Sequence, residues 1–311
     1  MTSNPVVKKE KETPWKKIKK NKFLYLLFLP VIIYYIMFHY APMFGIVVAF
    51  KKYNIYRGIW DSPWVGFEYF RQFFGSVYFF RLLRNTLMIS LYDLIFSFPA
   101  PILLALLMNE LKNNWFKKTV QTVSYLPHFI STVIIVSMYV SFLQPSSGVI
   151  NNMIEMFGGE RIYFLADARY FWGLFTGMNV WRSVGWGTII YLAALSGVDV
   201  ELYEACIMDG GGRLRQTISI TIPSISPTII IMLIFRVGSL LSVNSESILL
   251  MYNPTIYETS DVISTFVYRR GLLEADYSYS TAVGLFQAVI GLVLISGTNW
   301  LSKRYSETSL W

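Results

Sequence analysis

The chain has 311 residues, 54% of them hydrophobic and only 15% charged, with a formal net charge of +8. A soluble domain usually carries about 25% charged residues, so this composition, with a mean hydropathy of +0.45, argues for an integral membrane protein. The positive charge does not point to nucleic acid. Lys8, Lys9, Lys11, Lys16, Lys17, Lys19, Lys20 and Lys22 crowd the start of the chain, directly before an apolar run, as a cytoplasmic anchor flank does.

A spanning helix needs roughly 20 mostly apolar residues, each adding about 1.5 Å across a hydrocarbon layer about 30 Å thick. Residues 1–22 are a polar, basic tail, and residues 23–50 supply the first apolar run, interrupted by Pro30 and Pro42. That run is too long for a signal peptide and no small-residue cleavage site follows it, so it is expected to be retained. Residues 51–80 are rich in aromatic rings, among them Tyr53, Tyr56, Trp60, Trp64, Phe67 and Phe74. They suit either a platform for sugar rings or a docking protein, or a segment at the headgroup level; the interfacial preference of amphipathic rings favours the second.

Further apolar runs are expected to span at residues 82–108, 120–143 and 170–195, then from about 224 until the chain turns polar after Leu241, and at 281–301. The chain thus reads as an all-α integral membrane protein of six transmembrane helices: a tail at 1–22, a transmembrane domain at 23–301 and a C-terminal tail at 302–311. Lipid offers no partner to free backbone groups, so the spans must be helical. An even number of spans puts both termini on one side, and the lysine tail assigns that side to the cytoplasm. Lys51, Lys52, Arg57 and Arg71 then lie outside, so the tail carries most of the orientation.

The polar loop 196–223 falls on the cytoplasmic side. Glu201–Met208 suits a short helix, Asp209 and Gly210–Gly212 stop it, because glycine takes up tight or left-handed turns without penalty, and Arg213–Ile222 can begin a second helix. Pro223 and Pro227 are expected to set off the next span, since proline is tolerated in a first helical turn. A helix, a glycine turn and a second helix at the membrane face would make a stiff lever, or equally an ordinary capped loop.

These residues carry a resemblance. Glu204, Ala205, Cys206, Asp209, Gly210, Gly211, Ile220, Pro223 and Pro227 stand at the intervals of the EAA motif, and the loop resembles that of permease subunits of ATP-binding-cassette (ABC) importers. Cys206 and Gly211 replace the usual alanines and Thr217 a common phenylalanine; the first two keep small side chains, whereas the threonine weakens one packing contact. From the basic tail through Leu126–Ser131 to the last span, the chain is similar to the polysaccharide-type branch of sugar permeases. The resemblance implies a type I importer-like permease in which the loop is a coupling helix seated in a cleft of the ATPase. Glu204 would meet a cation there, Gly210 would permit the turn, and Ala205 and Cys206 would pack closely. It also implies an ATPase dimer, a second permease in a heterodimer, an extracytoplasmic solute-binding protein and a sugar or oligosaccharide cargo.

No G-x-x-x-x-G-K-[ST] stretch occurs, and Gly210–Gly212 is followed by arginine, so this chain has no phosphate cradle of that kind. ATP and magnesium are expected in the partner ATPase, with no cofactor in this chain and no catalytic residues of its own. Cys206 is the only cysteine, and His39 and His128 lack partners at metal-ligand spacing, so no metal site is expected. Polar residues inside spans are costly and usually face a cavity or a partner. Asp93, Asn179, Arg182, Arg236, Asn244 and Glu246 are of this kind, and Trp181 and Trp186 could stack on sugar rings. Bonding between helices, or to the second permease, competes with a substrate role for each, and Arg182 and Arg236 also suit a uronic acid. A gradient-driven secondary transporter is the alternative, but no inverted repeat is evident. A membrane-embedded enzyme lacks convergent acid and base groups, and a pure assembly anchor predicts no effect of Asn179 or Arg182 on uptake.

Overall fold

In a computed structural model, residues 20–305 are described, so most of the basic tail and the last six residues of the C-terminal tail lie outside the described residues. The described part is helical, and its only extended pairings are two isolated bridges, Lys51 with Trp64 and Asn54 with Gly58. The principal helices are α1 (Lys22–Phe50), α2 (Phe79–Asn109), α3 (Asn114–Phe129), α4 (Thr132–Phe142), α5 (Val149–Met156), α6 (Phe171–Leu195) and α7 (Val200–Met208). They are followed by α8 (Arg213–Gly238), α9 (Ser245–Met251), α10 (Ile263–Tyr268) and α11 (Tyr277–Tyr305). Among the described residues, four helices are long and apolar enough to cross a membrane, rising to six if each of two bent pairs is one span.

The first departure from expectation is the run 120–143, which is not one straight helix. α3 and α4 meet at 105°. The backbone is extended at Ile130, and the Ser131 hydroxyl accepts from the Ile134 N–H, starting α4 as a new capped helix. A serine N-cap satisfies a donor that a continuing helix would have paired internally, so the break has a local cause.

The second departure concerns proline. Residues 213–222 are not a separate helix set off by Pro223: α8 runs unbroken from Arg213 through Pro223. A wide π turn covers Thr217–Thr221, two residues before Pro223 begins. The same arrangement recurs at Ile36–Tyr40 before Pro42 and at Asp93–Ser97 before Pro99. A proline ring clashes with the carbonyl four residues back and offers it no N–H. Widening the preceding turn relieves that conflict without ending the helix.

Three buried clusters hold the bundle together. Ile89 of α2, Ile135 and Val136 of α4 and Phe171, Phe175 and Met178 of α6 pack with Ile248, Met251, Ile256 and Val262. Phe73, Leu82, Ile263, Phe266, Tyr279 and Val283 form the second. Ala105, Tyr191, Leu195 and Ile225 form the third. Segment 239–276, polar enough to resemble a loop, therefore contributes much of the core. It is fastened through Asp261, fully buried, whose Oδ2 accepts from Arg81 at 3.2 Å and Arg269 at 2.8 Å while Oδ1 accepts from Thr265 at 2.9 Å. Asn85 adds bonds to the carbonyls of Glu258 and Asp261, both 2.9 Å.

The contacts define two ends. Residues 51–54 bond to Ser278, and Asn253 and Thr259 bond to the carbonyls of Leu165 and Ala168, so segments 51–78, 143–170 and 239–276 share one end. At the other, Arg213 faces Glu110 at 3.8 Å, bringing the turn after α2 to the turn after α7. α6 crosses α3 at Gly185, where a Cβ would lie 2.1 Å from the Ser124 carbonyl oxygen; only glycine lets these backbones touch. None of residues 22–35 of α1 is buried.

Candidate functional site

Polar residues scattered along the sequence converge between α2, α6 and α8. Asp93, Asn179, Arg182, Arg236 and Asn244 line one cavity of about 300 Å3, with Ser90, Ser183, Ser239, Ser242 and His128. That volume is at the small end of the range for small-molecule sites, about 300–1,000 Å3. A second compartment of about 330 Å3, lined by Ser97, Phe98, Pro101, Trp186, Tyr191 and Phe235, shares Ser183, Arg236 and Ser239 with the first. The two compartments adjoin at these three residues, the first more polar and the second more apolar.

Each group is placed by its helix. Asp93 begins the π turn of α2, Asn179 and Arg182 lie three apart on α6, and Arg236 sits in the last turn of α8. Asn244 caps α9, accepting from the Ser247 N–H at 3.3 Å. Arg236 is ion-paired with Asp93. Arg182 donates to the Thr132 hydroxyl at 3.0 Å, and among the described residues no carboxylate pairs with it. Trp186, 45% exposed, stacks on His128 with ring centroids 4.6 Å apart and planes 2° apart.

Two expected substrate-path residues lie elsewhere. Trp181 packs on the first buried cluster, on a face of α6 turned from the cavity. Glu246 is exposed in the first turn of α9 and does not line either compartment; one residue's shift along a helix turns a side chain by about 100°. His128 and the serines were missed because small hydroxyls occur throughout apolar helices, where they often bond their own backbone. The LPHFIS stretch held the one signal: a histidine near a bend.

At the opposite-facing loop, the structure builds a helix, turn and helix. Asp199 caps α7, accepting from the Glu201 N–H at 3.0 Å. Gly210 is left-handed at φ 75°, its N–H donates to Ile207 at 2.9 Å, and the Gly211 N–H donates to Cys206 at 2.7 Å. This pair of bonds is a Schellman cap. Gly211 is buried against Cys206: an added Cβ would lie 2.3 Å from its Sγ. Tyr203 Oη and Thr221 Oγ1, 3.0 Å apart, tie α7 to α8. Glu204, Ala205 and Asp209 are exposed, as are Ile207, Met208 (86%) and Leu214 (75%), an apolar and acidic surface on a braced element.

The bent helical spans, a polar cavity between them and a protruding capped helix define a multi-pass membrane transport subunit. Residues 97–307 match the model for the binding-protein-dependent transport system inner membrane component, and the chain belongs to that family. It is 47% identical to protein LplB of Bacillus subtilis, covering 98% of this chain and 96% of that one. It is 46% identical to the polygalacturonan/rhamnogalacturonan transport system permease YteP of the same organism, covering 95% and 92%. Among solved structures, a bacterial ABC transporter involved in import of the acidic polysaccharide alginate superposes with a TM-score of 0.88 at 44% identity, covering 95% of this chain and 100% of that one. The same kind of alginate transporter, in complex with an alginate pentasaccharide-bound periplasmic protein, gives 0.89 at 43% identity, covering 96% and 100%. Family membership makes the chain a permease component of the cell membrane and sets aside the gradient-driven alternative.

Proposed function

We propose that the chain is the six-span permease subunit of an ABC importer for an acidic oligosaccharide, with both termini in the cytoplasm. ATP, with magnesium, is hydrolysed by a partner ATPase dimer. A second permease completes the route through the bilayer, and an extracytoplasmic binding protein delivers the cargo. In this reading the end carrying α7 is cytoplasmic, with the tails at 1–22 and 302–311 on that side. Closure of the ATPases pushes on α7 and switches the cavity between two discrete packings. Glu204 and Asp209 supply charge to the ATPase cleft, Ala205, Cys206 and the exposed Met208 supply packing, and Gly210 and Gly211 hold the turn. The uncovered sides of α1 meet lipid or the second permease.

The observation that carries the choice of cargo is Arg182, a cation in a cavity among the spans that forms no ion pair among the described residues, since Asp93, which lines the same cavity, is paired with Arg236. An unpaired charge there is costly, and an anionic ligand offsets that cost. Asn179, Ser183 and Asn244 can bond sugar hydroxyls, and the exposed face of Trp186 suits a pyranose ring. The names of the polygalacturonan/rhamnogalacturonan and alginate relatives support the same class. The test is uptake by the complete assembly in liposomes, comparing an oligogalacturonate with its methyl ester. Preference for the acid that is abolished by Arg182→Gln is expected; equal uptake of both by the unaltered assembly would rule out the acidic reading.

A further inference from the structure

The buried carboxylate of Asp261 and the partly buried one of Asp93 both meet arginines, but they are built differently. Asp261 uses both oxygens, one on Thr265 and one on Arg81 and Arg269. Asp93 uses one: Oδ2 meets Arg236, while Oδ1 is buried with no partner among the described residues. Ser97, at the far end of the same π turn, also buries a hydroxyl without a partner among the described residues. A buried carboxylate oxygen left unbonded forfeits the stabilisation that makes such a pair worthwhile. Arg81 Nε and Arg269 Nη1 beside Asp261 are also buried without a partner among the described residues, but they lie away from both compartments, whereas Asp93 holds its unused acceptor in the lining of the first.

Position adds to this. Arg236 lines both compartments, Asp93 only the first, so the pair stands where the two join. The Arg236 side chain is 40% exposed, and a guanidinium has five donors, of which one is engaged by Asp93. The π turn under Asp93 is a wide, locally irregular piece of helix of the sort that recurs at functional positions.

We propose that Asp93 is a specificity-determining residue that stands in for the cargo's carboxylate. It occupies Arg236 while the cavity is empty and is displaced when a uronate arrives, and its freed oxygens then accept cargo hydroxyls. The inference rests on the acidic-cargo reading. Arg182 captures one carboxylate directly, and Arg236, whose charge Asp93 already neutralises, gains full charge pairing with a second only when that ligand displaces Asp93. A neutral ring carries no charge to exchange, so it leaves the Asp93 pair in place.

The experiment is direct binding of tetragalacturonate, and of its methyl ester, to the purified complete assembly in nanodiscs without the binding protein. Asp93→Asn removes the competitor and keeps the shape. The Kd for the acid should fall about tenfold, equivalent to about 1.4 kcal/mol, with the Kd for the ester unchanged. Asp93→Ser should give the same asymmetry, and Arg236→Gln should abolish it. Weaker binding of the acid to Asp93→Asn, or an equal change for acid and ester, overturns the proposal. Failure of both Asp93 variants to assemble also overturns it, because the pair would then be a structural fastener. Loss of the acidic reading itself is seen separately, as equal affinity of the unaltered assembly for acid and ester.

Discussion

Replacing Gly211 by alanine places a methyl carbon 2.3 Å from Cys206 Sγ and 2.8 Å from the Cys206 carbonyl oxygen. Comfortable carbon contacts lie near 3.5–4.0 Å, so the Schellman cap must open or α7 must shift. Overpacking of this kind costs about 1–3 kcal/mol. The backbone at Gly211 is not left-handed, so none of the cost comes from φ, and the sulfur accounts for the shorter of the two contacts. Removing it with Cys206→Ala should therefore restore part of the loss, leaving the carbonyl contact. A double-mutant cycle should return a coupling of about 0.5–3 kcal/mol. The readouts are thermal unfolding of the assembly in nanodiscs and capture of the ATPase on the membrane subunits. If Gly211→Ala costs the same with alanine at 206 as with cysteine, the sulfur is not what requires glycine there, and the reasoning fails.

At Gly210, φ is 75°; Gly210→Ala should cost about 1–2 kcal/mol from left-handed strain, and Gly210→Asn should cost less, since asparagine tolerates that region. Equal melting points for the two variants would argue against the cap. Asp261→Asn leaves Arg81 and Arg269 without their shared charge and should destabilise the assembly by about 3–5 kcal/mol, visible as a lowered melting point; an unchanged one would mean the segment 239–276 is held by packing alone. Glu204→Lys should leave membrane insertion intact and reduce capture of the ATPase, because Glu204 is exposed and accepts no bond that α7 needs. Undiminished capture would remove Glu204 from the docking surface.

How much of this was legible in the sequence depends on the range of the interactions. The apolar runs announced four helices, at Lys22–Phe50, Phe79–Asn109, Arg213–Gly238 and Tyr277–Arg304, long and apolar enough to span, since twenty residues without charge have few other uses. The spacing from Glu204 to Pro227 announced the helix and turn, because a left-handed glycine and its two bonds are local geometry. Cys206 and Gly211 touch across the cap, where a Cβ at 211 would meet the Cys206 Sγ. That pairing was hidden only because the cap's register decides which residues touch.

What the tertiary structure alone decided lies at longer range. No local pattern could join Asp93 to Arg236 or bring both beside Arg182, since those positions belong to three helices whose rotation is set by packing. Rotation also separated Arg182 from Trp181, its chain neighbour, sending the tryptophan to the buried cluster. Segment 239–276 turned polar in the sequence, yet its Asp261 is buried and neutralised by arginines 180 and 8 positions away. A sequence shows a charge but not its partner, and for a group inside a membrane protein the partner decides whether it is core or site.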